Sequence, residues 1–438
     1  MELSRFDNIL AMKTEAGEVI GFHSHNMQVA RLTESLWTAM TSAETSSDPL
    51  ALAELSEWNV ESDAAATDSV IKSEVRSLMV NIAQICNLQC TYCAAGGDGT
   101  FGEPLRHVDI ETIYSQLRMF LHDVPNGGQF SITFFGGEPL INPAAIRQLA
   151  RFAKLQVIGR DIDLRFCTIT NGTLVTKDIA ELLASIGCHV TISLDGPPEI
   201  NNKFRQSRGG RGTTERVLKG LEELKKIRHR LGSLSVGAVF GKHNTRVLES
   251  YRFLRAFNFD SLKFDFAADQ SDEAASAAFA DELAQTADEA FKMGGEAELR
   301  KIAQFDSYFQ ALDQQRRLNN HCGAGKSMLT IDGRGKLTSC QWFVGNLDEN
   351  LGQGTDLDHQ RISSFAKPLN EMNNCQACWA RNLCGGGCMF VNDLKNGSKH
   401  KKDQAFCQRT RLTIAKAIEY YAQSRSTTIA QGAQNEEH

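Results

Sequence analysis

The sequence predicts an α/β protein built on a repeated strand–helix unit with a parallel sheet. Three observations carry that prediction. Between residues 77 and 266, six short apolar runs alternate with amphipathic stretches of helical length, the pattern of successive βα units. Ten of the twelve cysteines fall in two groups, three at 86–93 and seven at 322–407, so each end of the repeat is marked by clustered sulfur. The first 75 residues follow a different pattern, short strands and then helices, and read as a separate unit.

In that first unit, 8–13 and 18–23 read as strands around the turn Thr14-Glu-Ala-Gly17, and 28–32 as a third after His23-Ser-His-Asn26. Helices are expected from Thr33/Ser35 to Met40 and over 50–58, with a Ser-rich linker at 41–48 and an Asp/Ala-rich linker at 61–68. The repeat then gives strands at 78–83, 129–135, 163–169, 189–194, 233–240 and 261–266. Its helices are expected at 110–121, 143–155, 177–186, 213–230 and 245–257. An Ala-rich, acidic helical stretch bridges to the second cysteine group, and from Tyr420 the chain thins to a polar tail. The expected division is 1–75, 76–270, 271–318, 319–425 and 426–438.

Composition narrows the function classes. At 42% hydrophobic and 23% charged the chain is an ordinary globular sequence. A net charge of −6 and a pI near 6.0 argue against a nucleic-acid partner. No basic segment leads into an apolar core at the N-terminus, and no apolar run approaches a membrane span, so neither a signal peptide nor a membrane partner is expected. Twelve cysteines without a secretion signal point to a reducing cytoplasmic compartment, where they bind metal instead of forming disulfides. Cys167 and Cys188 stand apart in apolar strand contexts and read as buried, inert thiols.

The first group reads Cys86-Asn-Leu-Gln-Cys90-Thr-Tyr-Cys93. A cubane iron–sulfur cluster usually takes four thiolates. Three thiolates within eight residues leave one iron open to a small molecule. A structural zinc site closes with four ligands, and no fourth lies nearby. A disulfide framework suits short secreted chains, which this is not. The spacing, with Tyr92 before the last cysteine, resembles the cluster loop of radical S-adenosylmethionine (SAM) enzymes. The resemblance implies that the open iron chelates the amino and carboxylate groups of SAM, and that electron transfer cleaves SAM to a 5′-deoxyadenosyl radical. It also implies a fold: six βα units resemble the partial (β/α)6 TIM-like barrel of that family.

Barrel enzymes place their sites at the C-terminal ends of the strands. After the second strand, Gly136-Gly137-Glu138-Pro139 resembles the family's Gly-Gly-Glu motif, which implies contact with the SAM amino nitrogen; alone it is a turn. After the third comes Thr170-Asn171-Gly172, and after the fourth Ser193-Leu194-Asp195-Gly196. The resemblance makes Asn171 and Ser193 contacts to SAM. Read on their own, Asn171 caps a helix and Asp195-Gly196 forms a turn. Arg205 matches an arginine that meets the SAM carboxylate in related peptide maturases, a task that suits a guanidinium. Arg208 and Arg211 read as solvated loop charges. Asp265, at the end of the sixth strand, is either a catalytic residue facing the substrate or a hydrogen-bonded strand end.

The second group resembles the SPASM domain, which holds two auxiliary [4Fe–4S] clusters, making three clusters with the first. By the family's interleaving, Cys375, Cys378, Cys384 and Cys407 close the distal cluster. Cys322, Cys340 and Cys388 hold the proximal one, with one iron open or bound by a non-cysteine group. A zinc ribbon is the competing reading of 375–388. His321-Cys-Gly-Ala-Gly325, Cys340-Gln-Trp-Phe and Cys378-Trp-Ala-Arg-Asn-Leu-Cys-Gly-Gly-Gly-Cys388 resemble SPASM peptide maturases, nearest to those that form thioethers. The resemblance covers roughly 77–415. It implies a ribosomally synthesised precursor peptide as substrate and a flavodoxin- or ferredoxin-like electron donor. Thioether formation leads, with C–C or C–O side-chain cyclisation and epimerisation behind it. Sulfatase maturases usually carry an aspartate base after the cysteine matching Cys340; here that residue is Gln341. Thioether enzymes more often have His there. A non-catalytic three-cluster electron carrier is the reading from another class, and it has no use for Gly136–Glu138, Asn171 or Arg205. The layout of 1–75 resembles the small winged-helix modules that bind leader peptides; a plain cap on the barrel is the alternative.

Overall fold

A computed structural model describes residues 2–41, 48–62, 75–95, 100–270 and 272–425. Most of the two expected linkers and all of the tail beyond 425 lie outside the described residues. The N-terminal unit is an antiparallel meander in the order β1-β2-β3-β4: β1 (Glu2–Phe6), β2 (Ile9–Lys13), β3 (Val19–His23) and β4 (Gln28–Leu32). Helices α1 (Glu34–Thr41) and α2 (Pro49–Trp58) follow. The sequence reading gives three strands here and misses β1. That strand is a mostly exposed edge whose Leu3 is half exposed, so it lacks the buried alternation that marks a strand in sequence.

The six expected strands are present and parallel: β5 (Ser77–Ala83), β6 (Gly128–Gly136), β7 (Ile162–Thr170), β8 (His189–Ser193), β9 (Ser233–Phe240) and β10 (Leu262–Phe266). Between them run α3 (Ile110–His122), α4 (Pro143–Gln156), α5 (Lys177–Ser185), α6 (Pro198–Phe204), α7 (Thr214–Lys226) and α8 (Val247–Arg255). Asp109, Asn142 and Thr176 cap α3, α4 and α5 by accepting from a backbone amide of the first turn. Alternation along each strand then fixes two faces. Leu78, Val80, Ile82, Phe130, Ile132 and Phe134 are buried toward the helices. On β7, Phe166, Thr168 and Thr170 are buried, while Arg165, Cys167 and Ile169 occupy the opposite, concave face. Cys188 is fully buried as expected, but Cys167 is only half-buried on that concave face.

The sheet carries two further strands. β11 (Met328–Ile331) pairs parallel to β5, and β12 (Leu337–Thr338) pairs antiparallel to β11, giving the order β10-β9-β8-β7-β6-β5-β11-β12. At four and two residues they are too short to show a period in sequence. They tie the second cysteine region to the edge of the barrel sheet.

The bridge is two helices, Glu273–Leu299 and Ala303–Asp313; the first is broken at Gly294–Gly295, where Gly295 has φ +61°. The last helix, Gln404–Gln423, packs along the first, with Tyr420 buried against Phe291 at 4.4 Å. The N-terminal sheet is sandwiched. Ile9, Ala11, Val19 and Leu32 pack on its own helices. Leu10, Met12, Ile20 and Phe22 pack on Trp379, Leu383, Ile414 and Ile418 of the C-terminal region. Asn382 Nδ2 donates to Ser24 O at 2.7 Å and Arg5 Nη1 to Ala377 O at 2.8 Å. Among the described residues, these contacts seat the unit on the second cysteine region. No described helix is long and apolar enough to cross a membrane.

Candidate active site

The C-terminal ends of β5 to β9 meet around the cysteine loop. The loop is pinned from β6: Gly137 N donates to Ala83 O at 2.8 Å and Glu138 N to Ile85 O at 2.9 Å. Gly136 permits this approach. Its φ is +144°, and a Cβ there would lie 2.2 Å from Ala83 O and 2.5 Å from Asn81 Oδ1. Glu138 is fully buried, and its carboxylate accepts from Leu140 N (2.9 Å), Thr170 Oγ1 (2.7 Å) and Asn171 N (2.8 Å). Burial pushes its pKa up to about 7 against those three donors. Its side chain therefore joins the β6 and β7 loops and fixes the backbone of the turn expected to meet the SAM amino nitrogen. Asn171, so positioned, directs Nδ2 at Cys86 Sγ (3.7 Å) and Asn87 Oδ1 (2.8 Å).

The β8 end supplies what the sequence reading missed. Asp195, assigned there to a turn, is completely buried at the centre of a network. Its Oδ2 accepts from Tyr92 Oη and pairs with Arg205 Nε at 3.0 Å; its Oδ1 accepts from Val239 N at 3.0 Å. Arg205 is 7% exposed. Burial opposes its charge, but the Asp195 carboxylate outweighs burial and holds the guanidinium above its ordinary pKa. Arg205 thus pairs with Asp195 and also touches Cys90. Burial pushes the Cys90 thiol up to about 11, and the Arg205 charge beside it works in the opposite direction. Tyr92, whose phenol burial pushes well up, lies under Arg205 (5.4 Å) and stacks on His243 at 4.6 Å. His243, in Gly241-Lys-His-Asn after β9, is absent from the sequence reading, since no motif marks it. Ser193 is half-buried at the end of β8, opposite Gly237. Asp265 does not stand alone: Lys263 Nζ lies 3.1 Å from its Oδ2.

The ten clustered cysteines gather into three sets. Cys86, Cys90 and Cys93 neighbour one another. Cys322, Cys340 and Cys388 form a second set, lining one cavity with Lys326, Met389 and His400. Cys375, Cys378, Cys384 and Cys407 form the third. Burial pushes Cys86, Cys340 and Cys384 up to about 12 each. Backbone N–H groups are nonetheless aimed at their sulfurs: Leu88 at Cys86 (3.4 Å), Trp342 at Cys340 and Gly386 at Cys384. Ala324 does the same for Cys322, and Phe390 and Val391 for Cys388. Gly385 and Gly386 both have positive φ, and a Cβ on either would strike the backbone of Asn320 or Asn370 within 2.6 Å. Desolvated thiols surrounded by inward amides fit iron–sulfur clusters, whose thiolates take such hydrogen bonds. Among the described residues no three His, Cys, Asp or Glu side chains converge as a single ion requires.

A cavity of about 1160 Å3 lies at the N-terminal ends of β5 and β6, against the second cysteine region and away from the strand ends that carry the first cysteine loop, with Ser77, Gly128, Ser131, His321, Cys322 and Lys326 among its walls. Cys322 opens onto it, yet sits deep enough that burial raises its pKa.

The family profile described as Radical SAM superfamily matches residues 80–254. A cysteine-type anaerobic sulfatase-maturating enzyme of Clostridium perfringens strain 13 is 26% identical over 342 residues, 72% of this chain and 88% of that one. An uncharacterized protein of Methanocaldococcus jannaschii is 29% identical over 191 residues; that match spans 44% of this chain and 62% of the relative. Among solved structures, native anSMEcpe with bound AdoMet and Kp18Cys peptide superposes with a TM-score of 0.68 at 21% identity, covering 80% of this chain and 98% of that one. That last likeness is one of fold. The matched segment holds the cysteine loop, the Gly136–Glu138 turn and the Asp195–Arg205 pair, and residues 80–254 of this chain are a radical SAM domain.

Proposed function

We propose that this enzyme modifies a ribosomally made peptide, removing a hydrogen atom from a carbon and joining a cysteine sulfur to that carbon as a thioether. The observation that carries the reading is the grouping of Cys322, Cys340 and Cys388 around one small pocket, three thiols that leave a place for a substrate sulfur. When bound at Cys86, Cys90 and Cys93, a [4Fe–4S] cluster supplies the electron that cleaves SAM to the hydrogen-abstracting radical. The chain's residues do the rest. Asp195, Arg205 and Glu138 hold the cysteine loop in shape, Asn171 directs its amide at Cys86, and Ser193 is a contact to SAM. The concave face, entered from the C-terminal ends of the strands, holds the peptide. Two hydrogens leave in all. One goes as an atom to the SAM-derived radical; the other leaves as a proton and an electron when the C–S bond forms. The auxiliary sets, proposed to hold two further clusters, would take that electron. Asp265, paired with Lys263, lines the barrel side as a charged contact for the peptide.

The sulfatase-maturating relative favours a second reading, formylglycine synthesis. Gln341 speaks against it: its Oε1 lies 3.5 Å from Cys340 Sγ, and an amide cannot act as a base. The test is mass spectrometry of cysteine-containing precursor peptides after reaction with SAM and reductant. Loss of two hydrogens together with the free thiol supports the thioether. An aldehyde in place of cysteine assigns the sulfatase-type reaction. A product crosslinked through carbon or oxygen with the thiol intact assigns the cyclisation.

A further inference from the structure

The sequence reading treats Arg208 and Arg211 as solvated charges. The structure lays them over the first cysteine loop. After α6 the chain doubles back, with Gln206 bridged to Gly212 and Ser207 bridged antiparallel to Leu88. Gln89 N donates to Gln206 O at 2.8 Å and Thr91 N to Phe204 O at 3.0 Å. Residues 204–212 thus lie along the loop like an added strand, and Arg208 Nε donates to Cys86 O at 3.0 Å. The tip, 208–212, is exposed, and so are Lys203 and Arg216 on either side. The acidic residues of this stretch are Glu199 and Glu215, and Glu215 is paired with Lys219. A chain of net charge −6 has therefore gathered cations on the outer surface of its open-iron cysteine loop.

Gly209 adds a second, independent observation. Gly210 needs to be glycine, with φ +72°. Gly209 has no such requirement: its φ is not in the left-handed region, and a Cβ there would meet nothing within 4 Å. A bare backbone at the apex of the loop leaves room for close approach from outside.

We propose that the loop 206–212 is the docking surface for an acidic one-electron carrier protein of the flavodoxin or ferredoxin kind. The carrier is oxidised by one electron and the iron–sulfur centre behind the loop is reduced by one; no bond forms or breaks. The inference rests on the assignment of that centre to Cys86, Cys90 and Cys93, but not on the identity of the peptide. Opposite charge speeds the encounter, and the glycine tip shortens the gap the electron crosses.

The test compares wild type with Arg211→Glu and Gly209→Trp, using flavodoxin hydroquinone as probe. Neither side chain supports the loop: the Arg211 backbone alone bonds Ser207. Three quantities are read: the association rate with flavodoxin, the rate of hydroquinone oxidation, and SAM cleavage driven by dithionite. Arg211→Glu should slow association about tenfold at low ionic strength, with the difference closing in high salt. Gly209→Trp should slow hydroquinone oxidation. Both should keep wild-type iron content and dithionite-driven cleavage. Wild-type behaviour of both variants toward flavodoxin overturns the proposal. So does an equal loss of dithionite-driven cleavage, which would make the loop structural, or weakened peptide binding with flavodoxin unaffected, which would give the cations to the substrate. Failure of wild type to cleave SAM with dithionite would instead refute the assigned reaction, and the association rate would still report on the docking surface.

Discussion

The buried pair Asp195–Arg205 allows a quantitative test. Asp195→Asn keeps an oxygen for Val239 N and nearly the same shape, but leaves the Arg205 cation buried without its counter-charge. Stranding one partner of a buried ion pair costs about 3–5 kcal/mol. Arg205→Met strands the carboxylate instead, at similar cost. In the double variant neither charge remains, so it should lose less than the two single losses together, by a coupling of about 2–3 kcal/mol. Tyr92 Oη must turn to accept from the new amide, a change of about 1 kcal/mol. The two single variants should also differ in function. Arg205 counters the burial of the Cys90 thiol, whereas a lone Asp195 carboxylate beside it disfavours thiolate. Arg205→Met should therefore retain less iron than Asp195→Asn. The assay is urea-induced loss of the iron–sulfur absorbance, with iron per chain measured before denaturation. Strictly additive losses in the double variant, or equal iron in the two singles, would refute this account of the site.

Four further outcomes follow from the same structure. Glu138 has a folded pKa of about 7, above its ordinary value, so across that interval the folded state holds a proton the unfolded chain has released. Its contribution is present at low pH and is lost as pH rises, by up to about 1.4 kcal/mol per pH unit; Glu138→Gln should thus gain on wild type from pH 5 to pH 8 in urea midpoints. Gly136→Ala, forced within 2.2 Å of Ala83 O, should deplete iron at 86–93 while sparing the C-terminal sets, as read by the EPR signals of the reduced protein. Replacing Cys86, Cys90 and Cys93 together by Ala should remove about four irons and leave about eight, with SAM cleavage abolished; background iron in that variant would contradict the auxiliary assignment. Phe22→Ala, fully buried against the C-terminal region, should cost about 3–5 kcal/mol there. Hydrogen exchange should rise over 375–423 and stay unchanged in the barrel.

The sequence by itself determined the six βα units, because strand and helix periods are local, and an apolar face repeats every two or 3.6 residues whatever it later packs on. It also determined where the sulfur ligands cluster, because their spacing is short. Tertiary structure alone decided which of those residues meet. Asp195 looks like a turn residue, and becomes the centre of the site only when Tyr92, 103 residues earlier, is folded onto it. Arg205 carries the right chemistry for a carboxylate, and the fold brings it to one of the chain's own, Asp195. The seat of the N-terminal sheet depends on Ser24 meeting Asn382, a separation of 358 residues that no local pattern records. Strands β11 and β12 are too short to bury a face unaided, and exist because β5 offers an edge. Contacts of that range are chosen by the free energy of packing whole surfaces together, and a sequence read in short windows does not contain it.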